Sequence, residues 1–174
     1  CRHSAPAEIG PMTIEPGRAH LRDFASVVEV LSETTAFTLA TLNDDASPRA
    51  TPLFFATDDR FCLYFLSEAG SRHAQNLARE PRAGAAIFPM VGHWSEIRGL
   101  QIQGRVSRLE GSGRETALEL YAGRFPFITD LGDAVQHSEM LQLTPSWIRL
   151  IDNRRARGRD EHGGVAHGDE DRTV

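Results

Sequence analysis

The sequence predicts a mainly β domain, a six-stranded antiparallel barrel with flanking helices. Three observations support that reading. Segments of alternating, β-branched character are joined by tight polar turns, as in a meander rather than a βαβ unit. A long apolar-alternating stretch carries Gly99 and Gly104 in its interior, which suits a bulge or a barrel corner. A chain of 174 residues also fits one domain with a substantial core.

Residues 1–18 contain Pro6, Pro11, Pro16 and Gly17 and read as a loose lead-in. Cys1 is compatible with a lipid-bearing cysteine, but no signal segment accompanies it, so residues 1–11 are expected to be upstream sequence before Met12. Leu21, Phe24, Ala25, Val28 and Leu31 fall at helical spacing and predict an amphipathic helix with that stripe toward the core. Residues 35–42 form the first strand, and Asn43-Asp44-Asp45 the turn after it. Residues 49–57 form the second strand, Asp58-Asp59 a second turn, and residues 61–66 the third strand.

Ser67-Glu68-Ala69-Gly70 is a loop, and Ser71 is placed to cap a short helix that runs to Arg79 and is stopped by Pro81. Residues 83–89 are a fourth strand. Residues 97–109 are the fifth, with Leu100, Ile102, Gly104 and Val106 on one face. A packing helix over about 112–124 follows, and then a sixth strand from Glu139 to Leu143 that continues beyond Pro145 to Ile151. The expected organisation is therefore a lead-in over 1–18, a barrel domain over 19–153 and a charged, glycine-rich tail over 154–174 that is disordered or ordered only on contact.

Charge and composition exclude several function classes. The net charge is −5, yet from residue 160 five acids stand against Arg172, so the body is almost neutral. That leaves no basic footprint for nucleic acid, while a small anion held by one or two cations remains open. No apolar run approaches the ~20 residues of a membrane span. Cys1 and Cys62 make neither a disulfide framework nor a metal set, and Cys62 reads as a small buried hydrophobe in a reducing cytoplasm.

Residues 63–77, Leu-Tyr-Phe-Leu-Ser-Glu-Ala-Gly-Ser-Arg-His-Ala-Gln-Asn-Leu, carry the chemistry. A strand runs through a glycine loop into a helix that begins Ser-Arg-His. Free N–H groups, the positive end of the helix dipole, two hydroxyls and one or two cations then meet, as a phosphate monoester requires. Chemistry alone leaves an ordinary solvated helix start as the alternative. His93-Trp94 is an active-site edge or a polar loop with a half-buried indole, and Gln101 and Gln103 face a cofactor, a partner or solvent. His137 and Glu139 lack a third ligand and read as structural, so no metal is assigned.

The order of elements, the stretch Ser47-Pro48-Arg49-Ala50-Thr51-Pro52-Leu53-Phe54-Phe55-Ala56 and residues 67–77 resemble the pyridoxamine 5′-phosphate oxidase-like FMN-binding split-barrel superfamily. The pattern is most similar to YhbP-type, stress-protein-like members, which also end near an Ile-Asp-Asn sequence, here Ile151-Asp152-Asn153. The resemblance implies a homodimer with FMN at the subunit interface, and a flavin-dependent oxidoreductase of unspecified substrate. Thr51, Pro52 and Leu53 would line the isoalloxazine edge. Leu66, Ser67, Ser71, Arg72 and His73 would hold the ribityl phosphate, and Trp94 and Gln101 would approach from the partner.

Many relatives have Lys where His73 stands, so binding is expected to weaken as pH rises. The aromatic-Trp-x-Gly segment and terminal Arg region that act on vitamin B6 phosphates in such oxidases are absent, which argues against that substrate. Arg154-Arg155-Ala156 follows Asn153 without the expected aromatic residue. No side chain stands out as a general base or nucleophile, so the catalytic residues are left unassigned. F420 or haem on the same fold, and a non-catalytic flavin-storing or sensing dimer, are the competing readings.

Overall fold

The structure, a computed structural model, describes residues 21–154. The expected lead-in and residues 155–174 of the expected tail lie outside the described residues. Helix α1 (Leu21–Glu33) precedes strands β1 (Ala36–Leu42), β2 (Pro48–Phe54), β3 (Ala56–Thr57) and β4 (Leu63–Glu68). Helix α2 (Arg72–Arg79), β5 (Arg82–Ile87) and β6 (Arg98–Leu109) follow, then α3 (Gly111–Arg124), α4 (Asp133–Gln136) and β7 (Ser138–Asp152). Among these residues no helix is long and apolar enough to cross a membrane.

The strands form one sheet in the order β2-β1-β5-β6-β7-β4-β3, with every pairing antiparallel. Its two edge strands are consecutive in sequence and separated by Phe55 alone. The chain therefore leaves β1 at one edge and joins β4 at the other, which rolls the sheet into a split barrel. Seven strands appear where six are expected, because residues 49–57 break at Phe55. The Phe55 side chain is fully buried, and its N–H donates to the Thr35 carbonyl at 3.2 Å.

Local chemistry explains the two turns. Asp45 Oδ1 accepts from the N–H and hydroxyl of Ser47 at 3.0 and 2.6 Å, with Ala46 at φ 62° between them. Asp58 Oδ1 accepts from the N–H groups of Arg60 and Cys62, while its other oxygen takes the Tyr64 hydroxyl at 2.9 Å. Phe61 adopts φ 61° and belongs to this turn, so the following strand starts at Leu63 rather than at residue 61. On β6, Leu100, Ile102, Gly104 and Val106 are buried together as expected. The β6–β7 register shifts between Gln103 and Gly104, where a Cβ on Gly104 would stand 2.2 Å from the Thr144 carbonyl oxygen. A bulge with so close a backbone approach requires glycine.

The main core fills the barrel with Phe37, Leu39, Phe55, Leu63, Phe65, Ile87, Leu100, Ile102 and Leu143, and α1 closes one side. The buried stripe of α1 is Val27, Val30 and Leu31, whereas Phe24 and Val28 are more than two-fifths exposed. The expected stripe is thus rotated. Glu29 and Glu33 both pair with Arg98 of β6, which fixes the helix with those carboxylates against the barrel rim. A second cluster joins Ala117 and Tyr121 of α3 to Phe125, Ile128, Met140 and Ala56.

Candidate phosphate-binding nest

Ser71 caps α2 from an extended conformation, and its Oγ accepts the Ala74 N–H at 3.3 Å. The helix ends at Arg79, since Pro81 cannot continue it. Capping places Ser71, Arg72 and His73 on the first turn, where the N–H groups of Arg72 and His73 have no intrahelical acceptor. The final turn of β4 lies directly beside them. Ser67 Oγ is 2.8 Å from His73 Nε2, Ser71 Oγ is 3.2 Å from the same nitrogen, and the two hydroxyls are 3.2 Å apart. Ser67 and His73 are 3% and 8% exposed, so this triangle is a buried polar nest at a helix N-terminus.

A buried side chain ties α2 to the first hairpin. Asn76, 1% exposed, donates from Nδ2 to Thr41 Oγ1 at 3.1 Å and to Asn43 Oδ1 at 2.9 Å. Thr41 pairs in register with Arg49 of β2. That register puts Arg49, Thr51 and Leu53 on one face of β2, opposite the buried Thr41, Leu39 and Phe37. Arg49 is near enough to His73 to influence its titration. Burial holds the His73 imidazole below its ordinary value first, and the Arg49 charge adds to the same shift. His73 is therefore neutral at pH 7 in the free protein. The Thr51 hydroxyl is buried without a hydrogen-bond partner, an orphaned polar atom on the same strand face as Arg49.

The other sequence-derived site residues fall into distinct places. Arg72, about half exposed, stands 3.8 Å from Asp44, which also pairs with Arg79. Leu66 sits beside Ser67 but packs into the second apolar cluster, because alternate side chains of a strand face opposite ways. Pro52 lies on the outer face of the sheet, in one cross-strand row with Thr38, Ala86 and Gln101. Gln101 is exposed there, opposite Arg149. Trp94 is 66% exposed on a 3₁₀ turn rather than half-buried, and its carbonyl accepts from Asn153 Nδ2 at 3.0 Å.

The structure thus brings Ser67, Ser71 and His73 together beside Arg72, and leaves Pro52, Trp94 and Gln101 on other surfaces of the subunit. Arg49 is the residue that sequence reasoning missed. Its signal was present, since it is two positions before Thr51 in a strand already assigned to the site. Glu139 is held by Arg108 at 2.6 Å, and His137 Nδ1 lies 2.7 Å from the Asp133 carbonyl oxygen.

Chemically, two hydroxyls and two free backbone N–H groups at a helix terminus, with the guanidinium groups of Arg72 on α2 and Arg49 on β2, match the oxygens of one phosphate monoester. The orphaned Thr51 hydroxyl, on the strand face that leads away from Arg49, fits a ligand that extends from its phosphate along β2.

Comparison with known proteins identifies the family and the fold. Residues 25–152 match the family described as pyridoxamine 5′-phosphate oxidase. The UPF0306 protein plu4501 of Photorhabdus laumondii is 28% identical over 131 residues, covering 75% of this chain and 88% of its own. The UPF0306 protein YhbP of Escherichia coli O157:H7 is 29% identical over 94 residues, covering 54% and 60%. Among solved structures, the heme storage protein HutZ of Vibrio cholerae superposes with a TM-score of 0.61 at 19% identity, over 70% of this chain and 88% of that one. A FAD-binding protein of Mesorhizobium loti also gives 0.61, at 17% identity over 72% and 91%. At these identities the two structures establish the split-barrel fold.

Proposed function

The chain belongs to the pyridoxamine 5′-phosphate oxidase family, and on that premise we propose that it is an FMN-binding, flavin-dependent oxidoreductase working as a cytoplasmic homodimer. The carrying observation is the buried Ser67–Ser71–His73 nest at the start of α2, flanked by Arg49 and Arg72. One helix terminus and one hydroxyl cluster suit a single phosphate monoester, the group that ends the ribityl chain of FMN. A bound flavin would supply the hydride and electron chemistry. The chain's own residues bind and orient. Ser67 and Ser71 donate hydroxyls to phosphate oxygens, Arg49 and Arg72 balance charge, and Thr51 offers its unpaired hydroxyl to the polar part of the ligand.

The proposed dimer draws on the outer sheet face. Leu42, Phe54 and Phe88 are each more than two-fifths exposed, and small residues Ala40, Ala50, Gly84 and Ala86 lie between them in register. A flat apolar surface of this kind suits a second copy of the sheet. Trp94 and Gln101, which are remote from the nest within one subunit, are then the residues a partner would bring to it.

An absorption spectrum of the purified chain, followed by titration with FMN and then with NADPH or NADH under anaerobic conditions, tests the proposal. Flavin absorbance that bleaches with the reduced nucleotide is expected, with light scattering at the mass of a dimer. A colourless protein that ignores FMN overturns it, and a Soret band replaces flavin with haem, which the fold of HutZ makes a specific alternative. Flavin that binds but is reduced by neither nucleotide favours the storage or sensing reading.

A further inference from the structure

We propose that His73 takes up a proton when a phosphate monoester enters the nest, so that ligand binding at this site is coupled to pH. The inference rests on the phosphate reading above and adds its regulation. In the free protein both serine hydroxyls are within hydrogen-bond distance of the one nitrogen, His73 Nε2, and of each other. Three contacts connect three polar atoms. In the neutral tautomer with Nε2 unprotonated, the two hydroxyls supply the protons for these contacts, and the Glu68 carbonyl oxygen, 3.3 Å from Ser67 Oγ, is the other acceptor open to Ser67. In that tautomer the hydroxyls turn toward the imidazole, which accepts from them.

A phosphate oxygen can be held by Ser67 and Ser71 only if those hydroxyls turn from Nε2 to the ligand. The nitrogen then loses its donors and faces an anion from inside a buried site. Protonation converts it from an orphaned acceptor into a charge-assisted donor to the same phosphate. The proton comes from solvent and resides on Nε2, and no covalent bond is made or broken elsewhere.

The surrounding charges favour this exchange only when the anion is present. Arg49 of β2 opposes a cation on His73, in line with the direction of its shift in the free state, and Arg72 of α2 stands one residue before it, paired with Asp44. Asp44, in the β1–β2 turn, is engaged by Arg72 and Arg79, and Asp45 by Ser47. Glu139 of β7, opposite Ser67 in register, is held by Arg108 of β6, and Glu68 is exposed at the end of β4. A phosphate dianion neutralises the two arginines and reverses the balance. The sign follows. His73 is neutral in the free protein at pH 7.5 and protonated in the complex, so affinity is highest below the free-state pKa, falls as pH rises from there toward the bound-state pKa, and levels off above it.

Calorimetry of FMN binding to the full chain at pH 7.5, in buffers of different ionisation enthalpy, reads the proton directly. At that pH the phosphate is already close to a dianion, its second pKa being about 6. Between about half and one proton taken up per FMN is expected, with affinity falling about three- to tenfold from pH 7 to pH 8. His73→Gln and His73→Lys should abolish the uptake, the lysine variant retaining affinity because its charge is permanent. FMN binding without proton uptake, or equal uptake in His73→Gln, overturns the inference.

A second measurement needs no variant to fold well and no flavin. The His73 ring signal in the proton NMR spectrum is titrated in chloride and in inorganic phosphate. A higher midpoint in phosphate supports the coupling even if FMN proves not to be the ligand, and an unmoved midpoint overturns it.

Discussion

Arg124, the last residue of α3, should be worth several kilocalories to this fold although it is no part of the nest. Its Nη2 donates to the carbonyls of Leu31 and Thr34 at 2.6 Å each, at the C-terminal end of α1. The Leu31 carbonyl is in the last turn of α1 and that of Thr34 just beyond it, so a cation from α3 serves as their cap. The guanidinium carbon also lies 4.8 Å from the Phe55 ring centroid, over the residue at which the barrel closes. Two hydrogen bonds from a charged donor contribute about 1.5 kcal/mol each at the lower end of the range, and water at the partly open site replaces some of that.

Adding about 0.5–1 kcal/mol for the ring contact, Arg124→Ala should lose about 2–4 kcal/mol. For a chain of this size that corresponds to a fall in melting temperature of about 6–12 °C. Urea denaturation followed by circular dichroism, with the slope unchanged, measures the loss. Arg124→Lys should lose about half as much, because an ammonium keeps the charge without spanning both carbonyls. A loss below about 0.5 kcal/mol in Arg124→Ala would show that solvent caps α1 equally well and refute the reasoning.

Three further outcomes are expected. Arg49→Met should weaken FMN binding about ten- to a hundredfold by fluorescence titration, and Arg72→Met less, since Arg72 is half exposed and shared with Asp44; equal losses would contradict the placement of Arg49 beside His73. Gly104→Ala forces a methyl against the Thr144 carbonyl, so the bulge must open and the chain should lose about 3 kcal/mol or more in urea denaturation. Asn76→Ala removes both bonds to the first hairpin and should cost about 1–3 kcal/mol, together with weaker FMN binding as Arg49 loses its register support; FMN affinity equal to that of the parent chain would separate Asn76 from the site.

Much of the barrel was legible along the chain because its signals are local. Alternation marks β1, β4, β5 and β6 within a residue or two of their observed bounds, and the Ser71 cap and Pro81 stop bracket α2. The same locality explains the misses. Two faces of α1 carry apolar residues at helical spacing, and only Arg98, nearly seventy positions on from Glu29, selects the one with Val27 and Val30. Leu66, assigned to the phosphate grip by resemblance, turns its side chain by strand alternation into the second apolar cluster.

The sequence by itself determined the strands, their turns and the polar start of α2, since capping, turn chemistry and alternation act over a few residues. The tertiary structure decided where β2 and β3 part at Phe55, how the two edges meet, and that Arg49 comes to His73 across a hairpin and a helix. Those choices depend on burial and charge summed over segments distant in the chain, and no short window of sequence contains them.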